Sequence, residues 1–331
     1  MRMRRILLAA VPEGMPQDSD FRMDEAEVPS CTDNGLLVRT QWISVDPYIR
    51  GRMTGNRTYI DPIPVGGVME SGAVGEVVES RHAGYRQGDI VTGHWGWQEY
   101  AAVDGSRVQK VDPNDAPVST AIGILGMPGM TAYFGLIELC APKNGETVVI
   151  SGAAGAVGSA AGQIAKILGC RVIGTAGSAE KVAYVKSLGF DDALNYRTDK
   201  PYHEVLARMC PNGIDCYFDN VGGELTDAVF QLMNVFGRVS VCGQISQYND
   251  RAKDIGPRPF WPMIVRQLRV EGFIVSRWAS RFAEGRKQMA AWLKEGKLRY
   301  DETIYDGLEN TPRAFIGLFR GENTGKALVR L

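Results

Sequence analysis

The chain has 331 residues, a length that suits two hydrophobic cores better than one. Its composition is that of an ordinary globular protein, 44% hydrophobic and 23% charged, and its formal net charge of −1 gives no reason to expect nucleic acid or an anionic membrane as partner. The apolar run Ile6–Val11 is too short for the core of a signal peptide, and no run approaches transmembrane length, so a cytoplasmic protein is expected.

In chain order, the segment around Ile6–Val11 reads as a first strand, and residues 1–121 read as β-rich. Short apolar stretches beginning at Gly35, Gly72, Gly88 and Glu99 alternate with turn signals. Over Ser119–Leu139 a longer helical pattern takes over and marks entry into a second domain. From Thr147 strands alternate with helices. The expected strands are Thr147–Ser151, Arg171–Ala176, Ala193–Asn195, Cys216–Asp219, Arg238–Cys242 and Val270–Phe273. The expected helices are Ala156–Leu168, Ser178–Leu188, Glu224–Leu232 and Phe282–Lys297. Such alternation implies a parallel sheet with right-handed crossovers, whose ligands sit where the loops after Ser151, Asp219 and Cys242 converge. The last residues return to strand, ending in Gly325-Lys-Ala-Leu-Val-Arg-Leu, and such a tail can rejoin the first sheet.

The unit Thr147–Ala176 carries Ala153-x-Gly155-x-x-Gly158 between a strand and a helix, with a second strand closing it. This is the setting of a dinucleotide site, in which glycines let a pyrophosphate approach the backbone at a helix N-terminus. The strict fingerprint has glycine at position 153. The tip of the second strand, Gly174-Thr-Ala-Gly-Ser178, lacks the acid that binds a ribose 2′-hydroxyl, and Lys181 follows. A neutral tip with a hydroxyl and a cation suits a 2′-phosphate, hence NADPH (NADP+). Lys181 alone also reads as a solvated residue of the next helix.

The six cysteines (31, 140, 170, 210, 216, 242) contain no Cys-x-x-Cys pair, and the three histidines (82, 94, 203) lie far apart. Nothing has zinc-site spacing, no metal is expected, and free thiols fit a reducing compartment.

Four segments make the chain recognisable: Ser44-Val-Asp-Pro-Tyr-Ile-Arg-Gly-Arg-Met53, Gly126-Met-Pro-Gly-Met-Thr-Ala-Tyr-Phe-Gly-Leu136, Asp219-Asn-Val-Gly-Gly223 and Cys242-Gly-Gln-Ile-Ser-Gln-Tyr-Asn249. With the ending Gly321-Glu-Asn-Thr-Gly-Lys326, they resemble the zinc-independent medium-chain dehydrogenase/reductases, in the branch of prostaglandin/leukotriene reductases and NADPH-dependent curcumin reductases. The resemblance implies a homodimer and an α/β fold: a GroES-like catalytic domain (1–121 and 297–331) with an inserted Rossmann NADP-binding domain (122–296). It implies that Ala154, Gly155, Ala156 and Val157 hold the pyrophosphate, and that Ser178, Lys181 and Tyr196 lie near the 2′-phosphate. Asn220, Cys242, Gly243, Gln244, Ile245, Ser246, Tyr248, Phe273, Ile274, Val275 and Asn323 would meet the nicotinamide half. Where zinc-dependent relatives carry a cysteine and a His-Glu pair, this chain has Ser44-Val45-Asp46 and Gly66-Gly67-Val68.

Without a metal to polarise a ketone, the accessible reaction is hydride addition to the β-carbon of an α,β-unsaturated ketone or aldehyde. The charge then spreads onto the carbonyl oxygen, which needs hydrogen-bond donors. Tyr248, the cofactor's ribose hydroxyl and Tyr48 are the candidates, and both tyrosines also read as walls of an apolar pocket. Asn220 reads equally as a turn residue, and Tyr196 as a half-buried strand end. The segment Asp254–Pro262 reads as a semi-rigid loop, either over the substrate mouth or at a dimer contact. A quinone reductase and a non-catalytic NADPH-binding protein remain as alternative functions.

Overall fold

The computed structural model describes residues 1–250 and 255–331, and Asp254 of the proline-rich segment falls outside them. The chain divides into two compact units, Met1–Gly123 with Glu302–Leu331, and Ile124–Asp301.

The first unit begins with β1 (Arg2–Leu8) and β2 (Phe21–Glu27), paired antiparallel along their whole length from Arg2↔Glu27 to Leu8↔Phe21. Next come β3 (Gly35–Ser44), the single turn α1 (Ile49–Arg52), β4 (Gly72–Ser80), β5 (Ile90–His94), β6 (Tyr100–Asp104) and β7 (Gln109–Lys110). Strand β2, with the sequence Phe-Arg-Met-Asp-Glu-Ala-Glu, carries too little apolar signal to be legible as a strand. Its partner defines it.

The second unit opens with α2 (Met127–Phe134), which passes into a π-helical turn over Gly135–Cys140. The longer helical pattern expected over Ser119–Leu139 is thus made of separate helical pieces. Val118–Ile122 is a separate 3-10 turn in the first unit, where Ile122 packs against Val74 and Leu328. The chain doubles back so tightly after it that a Cβ on Gly129 would lie 1.7 Å from the Ile124 carbonyl oxygen. Then follow β8 (Thr147–Ile150), α3 (Ala156–Ile167), β9 (Arg171–Ala176), α4 (Ala179–Ser187), β10 (Asp192–Asn195), α5 (Tyr202–Met209), β11 (Ile214–Asp219), α6 (Gly223–Leu232), β12 (Met233–Val241), α7 (Phe260–Val265), β13 (Arg269–Gly272) and α8 (Phe282–Lys294). Helix α7 occupies the end of the proline-rich segment that reads as a loop in the sequence.

The six strands form one all-parallel sheet in the order β10-β9-β8-β11-β12-β13. This is the Rossmann order, and its direction reverses between β8 and β11, where ligands of such sheets bind. Both faces are covered. Ile150, Phe134 and Trp278 lie in one core, and Val149, Tyr217 and Phe230 in the other. The unit extends to Asp301 rather than 296 because Leu298 is buried in the first of these cores. The buried amide of Gln163 also donates to the Arg299 carbonyl and accepts from its N–H, both at 2.9 Å.

The chain then returns to the first unit with β14 (Glu302–Asp306), α9 (Thr311–Arg320) and β15 (Lys326–Arg330). Strand β15 lies between β14, to which it is parallel, and β3, to which it is antiparallel through Leu328↔Ser44. The first sheet thus runs β14-β15-β3-β4-β5-β7, with β6 also on β3.

Candidate active site

The glycine-rich turn after β8 is built for close backbone approach. Gly152 has φ +60°, and a Cβ on Gly158 would meet the Gly152 carbonyl oxygen at 2.3 Å, so helix α3 can pack against the turn only with glycine there. The departure at position 153 is compensated next door. A Cβ on Gly174 of β9 would lie 2.9 Å from the Ala153 methyl, so the neighbouring strand leaves the room that the extra carbon takes. Helix α3 starts at Ala156 with no side chain capping it, which leaves its first N–H groups and the positive end of its dipole to an anion. The stretch Ala154–Val157 therefore fits a pyrophosphate.

The tips of β9 and β10 bring together Ser178, Lys181, Tyr196 and Arg197. Ser178 caps α4, its hydroxyl accepting the Lys181 N–H at 3.3 Å and hydrogen-bonding the Glu180 carboxylate. Tyr196 lies over the β9 tip so closely that a Cβ on Gly177 would stand 2.3 Å from its hydroxyl. The Lys181 ammonium is held below its ordinary pKa by burial and then by the Arg197 charge. Two cations that repel each other gain from a dianion placed beside both. Arg197 is missing from the sequence-derived site. Its contribution comes from the β10 tip lying beside α4, which spacing along the chain does not reveal.

The switch point between β8 and β11 is organised by Asp219. This buried carboxylate accepts from the hydroxyls of Ser151 (2.9 Å), Tyr217 (2.9 Å) and Thr226 (2.8 Å) and from the N–H groups of Val221 (2.9 Å) and Gly222 (3.0 Å). The Asn220 amide donates to the Ser151 carbonyl at 2.8 Å, so it ties two strand ends together and does more than fill a turn. From β12, the N–H groups of Cys242 and Gly243 reach the Asp219 carbonyl at 2.8 and 3.1 Å. The Ser246 hydroxyl donates to the Val221 carbonyl at 2.6 Å. The three expected loops do converge.

Tyr248 folds back over its own loop. Its hydroxyl oxygen accepts the Gln244 N–H at 3.3 Å, and a Cβ on Gly243 would lie 2.9 Å from that oxygen. Burial raises its pKa, so the phenol keeps its proton at neutral pH and, with its oxygen already accepting, has that proton to give. Burial likewise pushes the Cys242 thiol up to about 12, which makes it inert as a nucleophile. The Phe273 ring packs into the core against Trp278 and Phe218, at 5.6 and 6.3 Å between centroids. With its ring engaged there, Phe273 has its main chain left for a ligand.

Tyr48 and Asn323 belong to the first unit. The Asn323 amide donates to the Gly325 carbonyl at 2.8 Å. Tyr48 lies in the segment after β3, its hydroxyl 3.0 Å from His94 Nε2 at the end of β5. That segment is anchored by Lys326, a buried ammonium 3.1 Å from the Asp46 carboxylate that also donates to the Val45 and Ala327 carbonyls at 2.6 and 2.9 Å. Among the described residues no three His, Cys, Asp or Glu side chains gather as a metal site.

Comparison with known proteins matches these two units to two family models, an N-terminal domain of oxidoreductase over residues 4–111 and a zinc-binding dehydrogenase over residues 156–294. The NADPH-dependent curcumin reductase of Escherichia coli is 43% identical over 338 aligned residues, 100% of this chain and 97% of that one. The chain belongs to the zinc-independent medium-chain dehydrogenase/reductases. Within the family, a putative NADP-dependent oxidoreductase of Bacillus subtilis, YfmJ, is 50% identical over 99% of this chain and 97% of its own. Among solved structures, CurA of Vibrio vulnificus in complex with NADPH superposes with a TM-score of 0.95 at 41% identity, covering 99% of this chain and 98% of CurA.

Proposed function

We propose that the protein is an NADPH-dependent reductase of the carbon–carbon double bond in α,β-unsaturated ketones and aldehydes. The observation that carries the reading is a pair of neighbouring cations, Lys181 and Arg197, at the β9–β10 tips together with a protonated phenol, Tyr248, in the loop after β12. The likeness to a curcumin reductase and to an NADPH-bound CurA supports it.

Bound NADPH supplies a hydride to the β-carbon of the substrate. The chain supplies the rest. Ala154–Val157 hold the pyrophosphate on the α3 N-terminus, and Ser178, Lys181, Tyr196 and Arg197 hold the 2′-phosphate. Asn220, the Cys242–Tyr248 loop, the Phe273–Val275 main chain and Asn323 orient the nicotinamide. Tyr248 hydrogen-bonds the substrate oxygen as charge develops there, which is worth most where water is excluded. Tyr48 gives a proton to the α-carbon. Ser44-Val45-Asp46 and Gly66-Gly67-Val68 stand where zinc ligands occur in relatives that use the metal, so the reaction runs without one. The test is NADPH oxidation with a panel of enones, enals and quinones, with and without a chelator. Turnover of enones that survives chelation is expected. Oxidation with quinones alone would overturn the substrate class, and loss of activity with a bound metal would overturn the metal-free mechanism.

A homodimer is part of the same proposal. Strand β13 is one of the two edge strands of the parallel sheet, and Phe260 (61% exposed), Trp261 (73%) and Ile274 (44%) show apolar surface on the elements flanking it. An exposed edge beside apolar side chains is what a second sheet covers. Light scattering of the purified protein is expected to give twice the 36.2 kDa chain mass. A single chain mass at micromolar concentration would refute it.

A further inference from the structure

We propose that His94 and Tyr48 form a two-residue proton relay that carries a solvent proton to the α-carbon of the reduced substrate. The inference rests on the reading of Tyr48 given above and adds His94 to the machinery.

The geometry carries it. The Tyr48 hydroxyl stands 3.0 Å from His94 Nε2, within hydrogen-bond range, and the His94 ring, partly covered by the protein, keeps its remaining surface open to solvent at the end of β5. One end of the pair therefore meets water and the other is a phenol on the Asp46–Met53 segment. The charged and titratable groups acting on the pair are Asp46, Arg52, Glu70 and, on the phenol, Tyr59. Arg52 and Glu70 neutralise each other in an ion pair at 2.7 Å, and Asp46 is matched by Lys326.

The electrostatics explain why one residue is not enough. Burial first, and then Asp46, drive the Tyr48 pKa well above its ordinary value, so a phenol acting alone would be a poor acid that leaves a costly phenolate. Burial and Arg52 hold His94 below its ordinary value, so the ring is neutral at pH 7 and one of its nitrogens carries a proton while the other accepts. In the relay the tautomer with Nε2–H donates to the Tyr48 oxygen. As the Tyr48 O–H bond breaks and the α-carbon–H bond forms, the Nε2 proton moves to the phenol oxygen and water gives a proton to Nδ1. The enolate takes up one proton, one hydroxide is left in solvent, and the imidazole has exchanged its tautomer. No phenolate accumulates. His94 returns to its first tautomer by exchange with water.

Reduction of α-methylcinnamaldehyde by NADPH tests this, because protonation makes its α-carbon stereogenic. His94→Gln keeps a side-chain N–H near Tyr48 but cannot pass a proton through. It is expected to lower kcat about 10- to 100-fold with little change in KM, as loss of a general acid does. The product is expected to change from one enantiomer to a mixture as water protonates either face. Tyr48→Phe should show the same two losses, and the double variant should lose no more than either single one. NADPH binding, followed by fluorescence, should be unchanged in all three and reports that they fold. Retention of kcat and a single enantiomer in His94→Gln would overturn the relay and leave His94 a support for the ring. A loss in Tyr48→Phe without one in His94→Gln would likewise overturn it. A wild-type protein that does not oxidise NADPH with any enone would instead refute the function on which the relay rests.

Discussion

Deuteride from labelled NADPH is expected at the β-carbon of an enone, with the carbonyl left intact, and Tyr248→Phe is expected to lower kcat about 10- to 1000-fold while raising KM far less. Only the β-carbon is both electrophilic and conjugated to an oxygen that can take the charge. The donor for that oxygen must hold a proton and have it free. Tyr248 meets both conditions: burial keeps it protonated, and the Gln244 N–H already occupies its oxygen as an acceptor. Phenylalanine preserves the ring that covers Gly243 and removes the hydroxyl, which is the donor to substrate and the acceptor of the Gln244 N–H. Since the hydrogen bond strengthens as charge develops, its loss falls on kcat rather than on binding. Isolation of an allylic alcohol would overturn the reaction. An unchanged kcat in the variant would leave the reaction standing and reduce Tyr248 to a wall of the pocket.

Replacing Lys181 with alanine is expected to raise the KM for NADPH about 10- to 150-fold and to leave that for NADH nearly unchanged, because one charge-assisted contact is worth ~1.5–3 kcal/mol. The 2′-phosphate is the only charge that separates the two cofactors at this point. Lys181 is partly buried and already disfavoured as a cation, so the phosphate restores what burial and Arg197 cost it. Arg197→Ala should move KM in the same direction by less, since Arg197 is exposed and its field is screened. Its effect should shrink further at high salt. Equal weakening of NADPH and NADH in the Lys181 variant would show that the residue serves the helix rather than the phosphate.

Much of this site was legible in the sequence because its parts lie within single loops. Gly155 and Gly158 flank one turn, Ser178 and Lys181 share one helix start, and Cys242–Tyr248 is one segment. Local spacing reports such groupings directly. It reports poorly on groups that meet only through the sheet. His94 was one of three scattered histidines until the fold brought the end of β5 to the segment after β3, and Arg197 gained meaning only from the β10 tip lying beside α4. Strand β2 escaped for a related reason: its side chains are mostly charged, and its order comes from the partner strand. The helical pattern over Ser119–Leu139 divides into separate pieces because apolar periodicity does not register the close approach of Gly129 to the Ile124 carbonyl.

The position of β15 has a consequence for the order in which the protein can assemble on the ribosome. The unit Ile124–Asp301 is one continuous stretch, so its sheet can close as soon as that stretch has emerged. The first unit cannot. Its β3 lacks one neighbour until Leu328 is made, and β14 reaches the sheet only through β15. Until Lys326 arrives, Asp46 has no counter-ion, and a buried carboxylate without one is costly. The segment carrying Tyr48 is therefore completed only by residues translated after the nucleotide-binding half, which has had time to form. A chain stalled a few residues short of Lys326 would present a finished Rossmann sheet and a first sheet whose β3 still lacks a neighbour, a strand edge open to pairing with other chains.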